Sequence, residues 1–122
     1  MSESFAPGMS VNEAVRTKRA VRSFRPDPVP EPIIEAVLHA GRRAQSSKNS
    51  QPWTFILITA RDTLAELSTT GGFTGHLAGA AFAVALVAEP GHEFDLGQAA
   101  AQMQLVAWEH GVGSCIRLDW KY

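Results

Sequence analysis

Two stretches of this chain hold side chains able to grip a polar, phosphorylated ligand. In the first, Lys18-Arg19-Ala20-Val21-Arg22-Ser23-Phe24, cations gather at the end of a short helical pattern; with Arg16 and Arg25 they make five within ten residues. A phosphate dianion needs donors aimed at its oxygens, and arginine offers a planar, bidentate fork. The second, Ala44-Gln45-Ser46-Ser47-Lys48-Asn49-Ser50-Gln51-Pro52-Trp53, is dense in hydroxyls and amides and runs straight into the apolar run Thr54–Ile58. Hydroxyl and amide side chains both donate and accept, which suits a flat ring edged with carbonyls and ring nitrogens. Together the stretches point to a nucleotide-type cofactor.

Each also has a bland reading. A run of charge is often a solvated face, and a loop rich in Ser, Asn and Gln is often a turn. An extended segment alternates its side chains, so only some of the cations can converge on one anion. The other candidates are weaker. His39, His76, His92 and His110 show no metal-ligand spacing and read as surface or helix-face residues. Cys115 reads as a small buried apolar residue. Gly71-Gly72-Phe73-Thr74-Gly75 lacks the Gly-Lys-Ser/Thr of a phosphate-binding loop. Met103 and Trp53 read as core.

The elements that must position these stretches follow from periodicity. Ser10-Val11-Asn12-Glu13 has a capping-box pattern and opens a helix to about Arg19, with Val11, Ala14 and Val15 on one face. Val21–Phe24 is extended, and Pro26-Asp27-Pro28-Val29-Pro30 is a stiff connector. Glu31-Pro32 opens a second helix, with Ile34, Val37, Leu38 and Gly41 as its inward stripe, ending near Arg43. A strand is predicted over Thr54–Ile58 and a third helix over Arg61–Ser68, with Leu64 and Leu67 inward. Ala80–Val87 has the length and apolarity of a strand covered on both faces. The longest helix is predicted over Phe94–His110, with Leu96, Ala99, Ala100, Met103, Val106, Ala107 and His110 repeating at three and four and Gly111 as its C′ residue. Val112–Ile116 is expected to start another strand. Residues 1–9 read as a flexible arm.

Bulk properties narrow the class. The 122 residues are 45% hydrophobic and 19% charged, which suits one domain with a modest core. A net charge of -1 argues against a general nucleic-acid binder. That charge is uneven. Residues 1–61 hold nine bases and five acids (+4), while residues 62–122 hold two bases and seven acids (−5). An anionic ligand is therefore expected on the N-terminal half. A single cysteine makes no intrachain disulfide. Met1–Phe5 lacks the pattern of a signal peptide, and the apolar run Ala78–Ala88 is too short to span a bilayer. A soluble, cytoplasmic protein with no membrane partner is expected.

The order and wording of the two motifs resemble the FMN-dependent nitroreductase family. That family carries Arg-Arg-Ser-x-Arg-x-Phe, a Pro-rich connector, a helix, then Pro-Ser-x-x-Asn-x-Gln-Pro-Trp and a strand. Lys18, Arg19, Ala20, Arg22 and Phe24 fall on the first element; Gln45, Ser46, Asn49, Gln51, Pro52 and Trp53 fall on the second. Phe94–Ala100 and His110–Cys115 look like the family's long central helix and the turn that ends it. The likeness covers about residues 10–116. It implies a single α+β domain over residues 1–122, in three α-β-α layers. Its central sheet would be mostly antiparallel and flanked by helices, with the long helix at a homodimer interface. It further implies FMN held by Lys18, Arg19, Ala20 and Arg22 at the phosphate and ribityl end. Ser46, Ser47, Asn49 and Gln51 would contact the ring from across the dimer. Electrons would pass from NAD(P)H through FMN to a nitroaromatic, quinone or similar acceptor by a ping-pong route, with no side-chain general base and no metal.

This chain departs from the pattern in having Ala20 for Ser and Gln45 for Pro. Arg117-Leu118-Asp119-Trp120 does not look like the family's loop near flavin N5, and the family pattern continues through a further helix and strand. With that part absent, exposed apolar surface is expected. Two other readings stay open from the sequence: a non-catalytic dimerising domain with an incomplete flavin site, and a module binding some other phosphorylated or acidic ligand.

Overall fold

A computed structural model describes residues 8–70 and 75–116. The expectations placed on residues 1–7, on Gly71–Thr74 and on Arg117–Trp120 lie outside these residues. The first helix, α1 (Val11–Thr17), has the predicted Ser10 cap, the Glu13 N–H donating to the Ser10 hydroxyl at 3.1 Å, without the reciprocal Glu13 side-chain bond of a full capping box. It stops two residues before the expected end, where the Thr17 hydroxyl turns back to donate to the Glu13 carbonyl at 2.7 Å. Of the predicted inward face only Ala14 is buried; Val11 is 79% exposed and Val15 59%. A helix of two turns lying against α4 (Glu93–Glu109) has little length with which to bury a stripe.

The second helix, α2 (Glu31–Arg42), packs along α4. Its buried row is Ile33, Val37 and Gly41, so the stripe is centred one residue earlier than predicted; Ile34 and Leu38 are half-buried. The buried row of α4 is Asp95, Ala99, Met103 and Ala107. Both rows step by four, the spacing that lets ridges of one helix lie in grooves of the other. Gly41 permits the closest approach. A Cβ there would fall 2.6 Å from Met103 Sδ and 3.2 Å from Phe55 Cζ. Val37, Met103 and Ala107 form the core, with Leu38, Val84, Leu86, Val106 and Val112 packed around them. The Gln102 amide adds a polar tie, donating to the Ala40 carbonyl at 2.9 Å.

The strands β1 (Thr54–Ile58) and β2 (Ala83–Val87) pair antiparallel, Thr54 opposite Val87 and Ile58 opposite Ala83. Val84 and Leu86, alternate residues, meet the α2–α4 core. Between the strands, α3 (Arg61–Leu67) buries Leu64 completely and packs against a 3₁₀ turn, Gly75–Gly79, that the sequence pattern did not announce. Arg61 joins the two, donating to the Ala78 carbonyl at 2.6 Å and to the Ala80 carbonyl. The architecture is α+β, helices flanking a small antiparallel sheet.

Two strand expectations are corrected. β2 starts at Ala83 rather than Ala80, because the chain leaves the 3₁₀ turn at Gly79 and bends at Ala81 before it pairs, and it is half-buried rather than enclosed on both faces. Val112–Ile116 forms no strand among the described residues. Gly111, at φ 79°, ends α4 as predicted, and the chain then makes one isolated parallel bridge, Ser114 to Ala20. Met9, assigned to the arm, lines an apolar groove with Val11, Ala14, Leu105 and Val106.

Candidate functional site

The cationic segment is clamped to the C-terminal end of α4. The Val21 N–H donates to the Ser114 carbonyl at 2.9 Å, beside the Ala20–Ser114 bridge. The Gln104 amide donates to the Ser114 hydroxyl at 3.0 Å, and the Trp108 indole donates to the Thr17 hydroxyl at 3.0 Å. Gly113 lies under Val21, where an added Cβ would sit 2.8 Å from the valine Cβ. The segment is therefore extended because it borrows its backbone partner from the turn after α4. Trp108→Phe keeps an aromatic ring at the position and removes the N–H donor. It is expected to lower stability by about 1 kcal/mol, read from the urea midpoint at unchanged slope; no measurable shift would mean that the indole bond does not hold the segment.

Lys18 is half-buried, while Arg19, Ala20 and Arg22 are exposed. Among the described residues Lys18, Arg19 and Arg22 have no acidic partner; Arg19 donates only to the Thr17 carbonyl, at 3.4 Å. Arg25 is already engaged. Its guanidinium donates to Asp27 at 2.6 Å, and that bond, aided by the carboxylate's charge, raises its pKa. Of the five cations counted in the sequence only Arg25 is thus neutralised among the described residues; Lys18, Arg19 and Arg22 on the segment, and Arg16 in the last turn of α1, are not.

The polar loop is more ordered than an ordinary connection. It holds a 3₁₀ turn, Ser47–Asn49, and three non-glycine residues in the left-handed region: Lys48 (φ 56°), Asn49 (φ 55°) and Gln51 (φ 49°). Asn visits that region readily; Lys and Gln do so at a cost. Side chains hold the shape. The Gln51 N–H donates to the Ser46 hydroxyl at 2.9 Å, and the Gln51 amide donates to Asn49 Oδ1 at 3.0 Å. Ser47 donates its N–H at 3.1 Å and its hydroxyl at 3.3 Å to Asp95 Oδ1. Trp53, predicted as core, is half-buried. It stacks on Phe55 (centroids 5.9 Å apart, planes at 15°) and lines an open groove of about 370 Å³ with Leu38, Arg42, Gln51 and Leu57.

Asp95 was not singled out in the sequence, although a signal existed: an acid occupying one position of the row 95, 99, 103, 107, whose other members are apolar. It is 3% exposed and lies in the first turn of α4, where the helix dipole favours a negative charge. Glu93 shares that turn, its carboxyl held below the ordinary range by backbone N–H groups, its own and that of Gly91.

The two motifs are not brought together within one chain. The loop is tied to Asp95 and the cationic segment to Trp108, thirteen residues apart on one helix, or about 20 Å at 1.5 Å per residue. Among the described residues no three His, Cys, Asp or Glu side chains gather as metal ligands, and no helix is long and apolar enough to cross a membrane. Cys115 is a half-buried free thiol, its Sγ 3.6 Å from the Ile116 carbonyl.

Residues 15–72 match the nitroreductase family model. The nitroreductase NfnB of Mycolicibacterium smegmatis is 45% identical over 58 residues, 46% of this chain and 25% of that protein. An NADH dehydrogenase of Thermus thermophilus is 36% identical over 56 residues, 46% of this chain and 27% of that one. An FMN-dependent nitroreductase from Clostridium difficile R20291 superposes with a TM-score of 0.79 at 30% identity, covering 84% of this chain and 62% of that structure. Residues 15–72 thus carry the likeness to the nitroreductase family, and the described residues have the fold of solved nitroreductases. The stretch it shares with the two curated relatives is about a quarter of their length.

Proposed function

We propose that this chain is the flavin-holding part of an FMN-dependent oxidoreductase. It would pass electrons from NAD(P)H to a nitroaromatic, quinone or similar acceptor in ping-pong fashion. The observation that carries the reading is the set of cations left without acidic partners on a clamped, extended segment: Lys18, Arg19 and Arg22. They fit a phosphate and the ribityl chain that bears it. Ala20 adds no hydroxyl there.

The loop's chemistry fits a ring edge. Ser46 accepts from Gln51 and keeps its O–H to donate; Ser47 donates to Asp95 and keeps lone pairs to accept; Asn49 accepts from Gln51 and keeps its N–H₂ to donate. Bound FMN would supply the redox chemistry, taking up hydride and releasing electrons to the acceptor. The side chains' part is to hold it, favour negative charge on the reduced ring and leave one face open. No residue here need move a proton.

A homodimer completes the site in this reading. The two motifs hang from opposite ends of α4, so antiparallel pairing of this helix in two copies brings the loop of one to the cations of the other. The exposed Val11 and Val15 and the apolar groove beside α4 support such a contact. The cytoplasm, where nicotinamide donors are kept reduced, is the proposed compartment.

A visible spectrum of the purified protein tests the proposal. A flavin spectrum released by denaturation and bleached by NADPH before it is the expected result. A protein that stays colourless after FMN is added would sink the oxidoreductase reading and favour a dimerising domain.

A further inference from the structure

We infer that Asp95 is a positioning residue that sets the polar loop in its ligand-ready shape from 48 residues away. Its relevance to flavin rests on the function proposed above. Asp95 is the one polar side chain buried among the described residues. Burying a carboxylate is unfavourable unless its oxygens find donors, so its contacts show what it is for. Oδ1 accepts both donors of Ser47, and Oδ2 faces His92 Nδ1 at 3.6 Å.

The link to Ser47 replaces a local cap. A helical turn leaves its first N–H groups without partners, and the preceding residue's side chain commonly accepts from them. Ser46 stands in that position before the 3₁₀ turn, but its hydroxyl makes no cap there. It accepts from the Gln51 N–H instead and closes the far end of the loop. That exchange is possible because Asp95 takes the Ser47 N–H. One buried acid therefore frees Ser46 to hold Gln51, while Lys48 and Asn49 between them sit at left-handed angles they would otherwise leave. The acid is itself fixed in the first turn of α4, which packs along α2, so the loop inherits the position of the helix pair rather than that of its own flexible backbone.

Two readouts test this, one of them independent of any flavin. Amide exchange is followed by NMR at Ser47, Asn49, Ser50 and Gln51, whose N–H groups are all bonded within the loop or to Asp95, and FMN affinity is measured by titration. Asp95→Ala should speed exchange at these four amides about tenfold or more while the amides of α4 and β1 keep their rates. FMN affinity should fall about tenfold. Asp95→Asn keeps an acceptor oxygen for Ser47 and should restore both to within about threefold of the parent. Asp95→Leu keeps the side-chain volume without acceptors and should behave as Asp95→Ala, which guards against a cavity artefact or a fold too weak to study. Unchanged loop exchange in the Ala and Leu variants, or no recovery in the Asn variant, overturns the inference. If the parent protein takes up no FMN, the flavin reading falls and the exchange arm still decides the role of Asp95.

Discussion

Replacing Arg19 and Arg22 together by alanine is expected to weaken FMN binding by about 10- to 100-fold, while riboflavin binding changes by less than about threefold. The range follows from losing two charge-assisted contacts to a phosphate, discounted because both guanidinium groups are exposed and screened. The comparison with riboflavin isolates the phosphate, since the two ligands share the ring and ribityl chain. Neither arginine has an acidic partner among the described residues, so removing them frees no buried carboxylate and opens no cavity. Arg25→Ala is the internal control, because that guanidinium is occupied by Asp27; its effect should be small. Fluorescence titration at two salt concentrations checks the assignment. The parent should lose FMN affinity as salt rises, and the double variant should lose less. An equal loss for both ligands would mean that the arginines shape the fold and do not read the phosphate.

Gly41→Val is expected to destabilise the chain by about 3 kcal/mol, the upper range for overpacking a core. The position sits where α2 meets both Met103 and Phe55. Even a methyl group would lie 2.6 Å from Met103 Sδ, 2.9 Å from Met103 Cγ and 3.2 Å from Phe55 Cζ. Gly41→Ala should be milder, at about 1 kcal/mol. Alanine favours the helix by about that amount over glycine, and the thioether is flexible enough to retreat. Valine's two further methyls leave no such escape, because the ring of Phe55 stands on the other side. Met103→Ala removes the two nearest atoms. In the Gly41→Ala background it should therefore cost less than in the parent, giving a coupling of about 1 kcal/mol by double-mutant cycle in urea. Strict additivity would show that the two residues do not share the space assigned to them.

The sequence made the elements legible wherever local chemistry decides structure. Ser10 caps α1, Pro32 sits in the first turn of α2, β1 runs from Thr54 to Ile58, and Gly111 ends α4 at positive φ. It was less informative where neighbours decide. The inward face of α1 depends on how much of α4 lies opposite it, and Val11 and Val15 read as core only if more protein covers them. The stripe of α2 is shifted toward Ile33 because Gly41, not a larger residue, sets the closest approach to α4. The predicted strand at Val112–Ile116 became a single bridge because its partner is the extended segment at Ala20, which offers one pairing and no ladder.

The candidate site divides in the same way. Lys18, Arg19, Arg22, Ser46, Ser47, Asn49 and Gln51 were visible as residue types in a recognisable order. Which cations were spoken for was not, since the Arg25–Asp27 pair depends on the bend around Pro26. Asp95 was hidden because its partner lies 48 residues earlier, and no local pattern records such a contact.

One consequence of the long helix concerns leverage. Because α4 carries the loop at one end and the cationic segment at the other, it works as a beam loaded at both tips. A tilt of about 5° about its middle would swing each tip by about 1 Å, in opposite directions. Misplacement on that scale is enough to alter turnover strongly at a reacting centre. The fulcrum lies among Val37, Met103 and Ala107. In a protein of this design, apolar residues along the middle of the helix pair set the aim of the polar residues at its two tips.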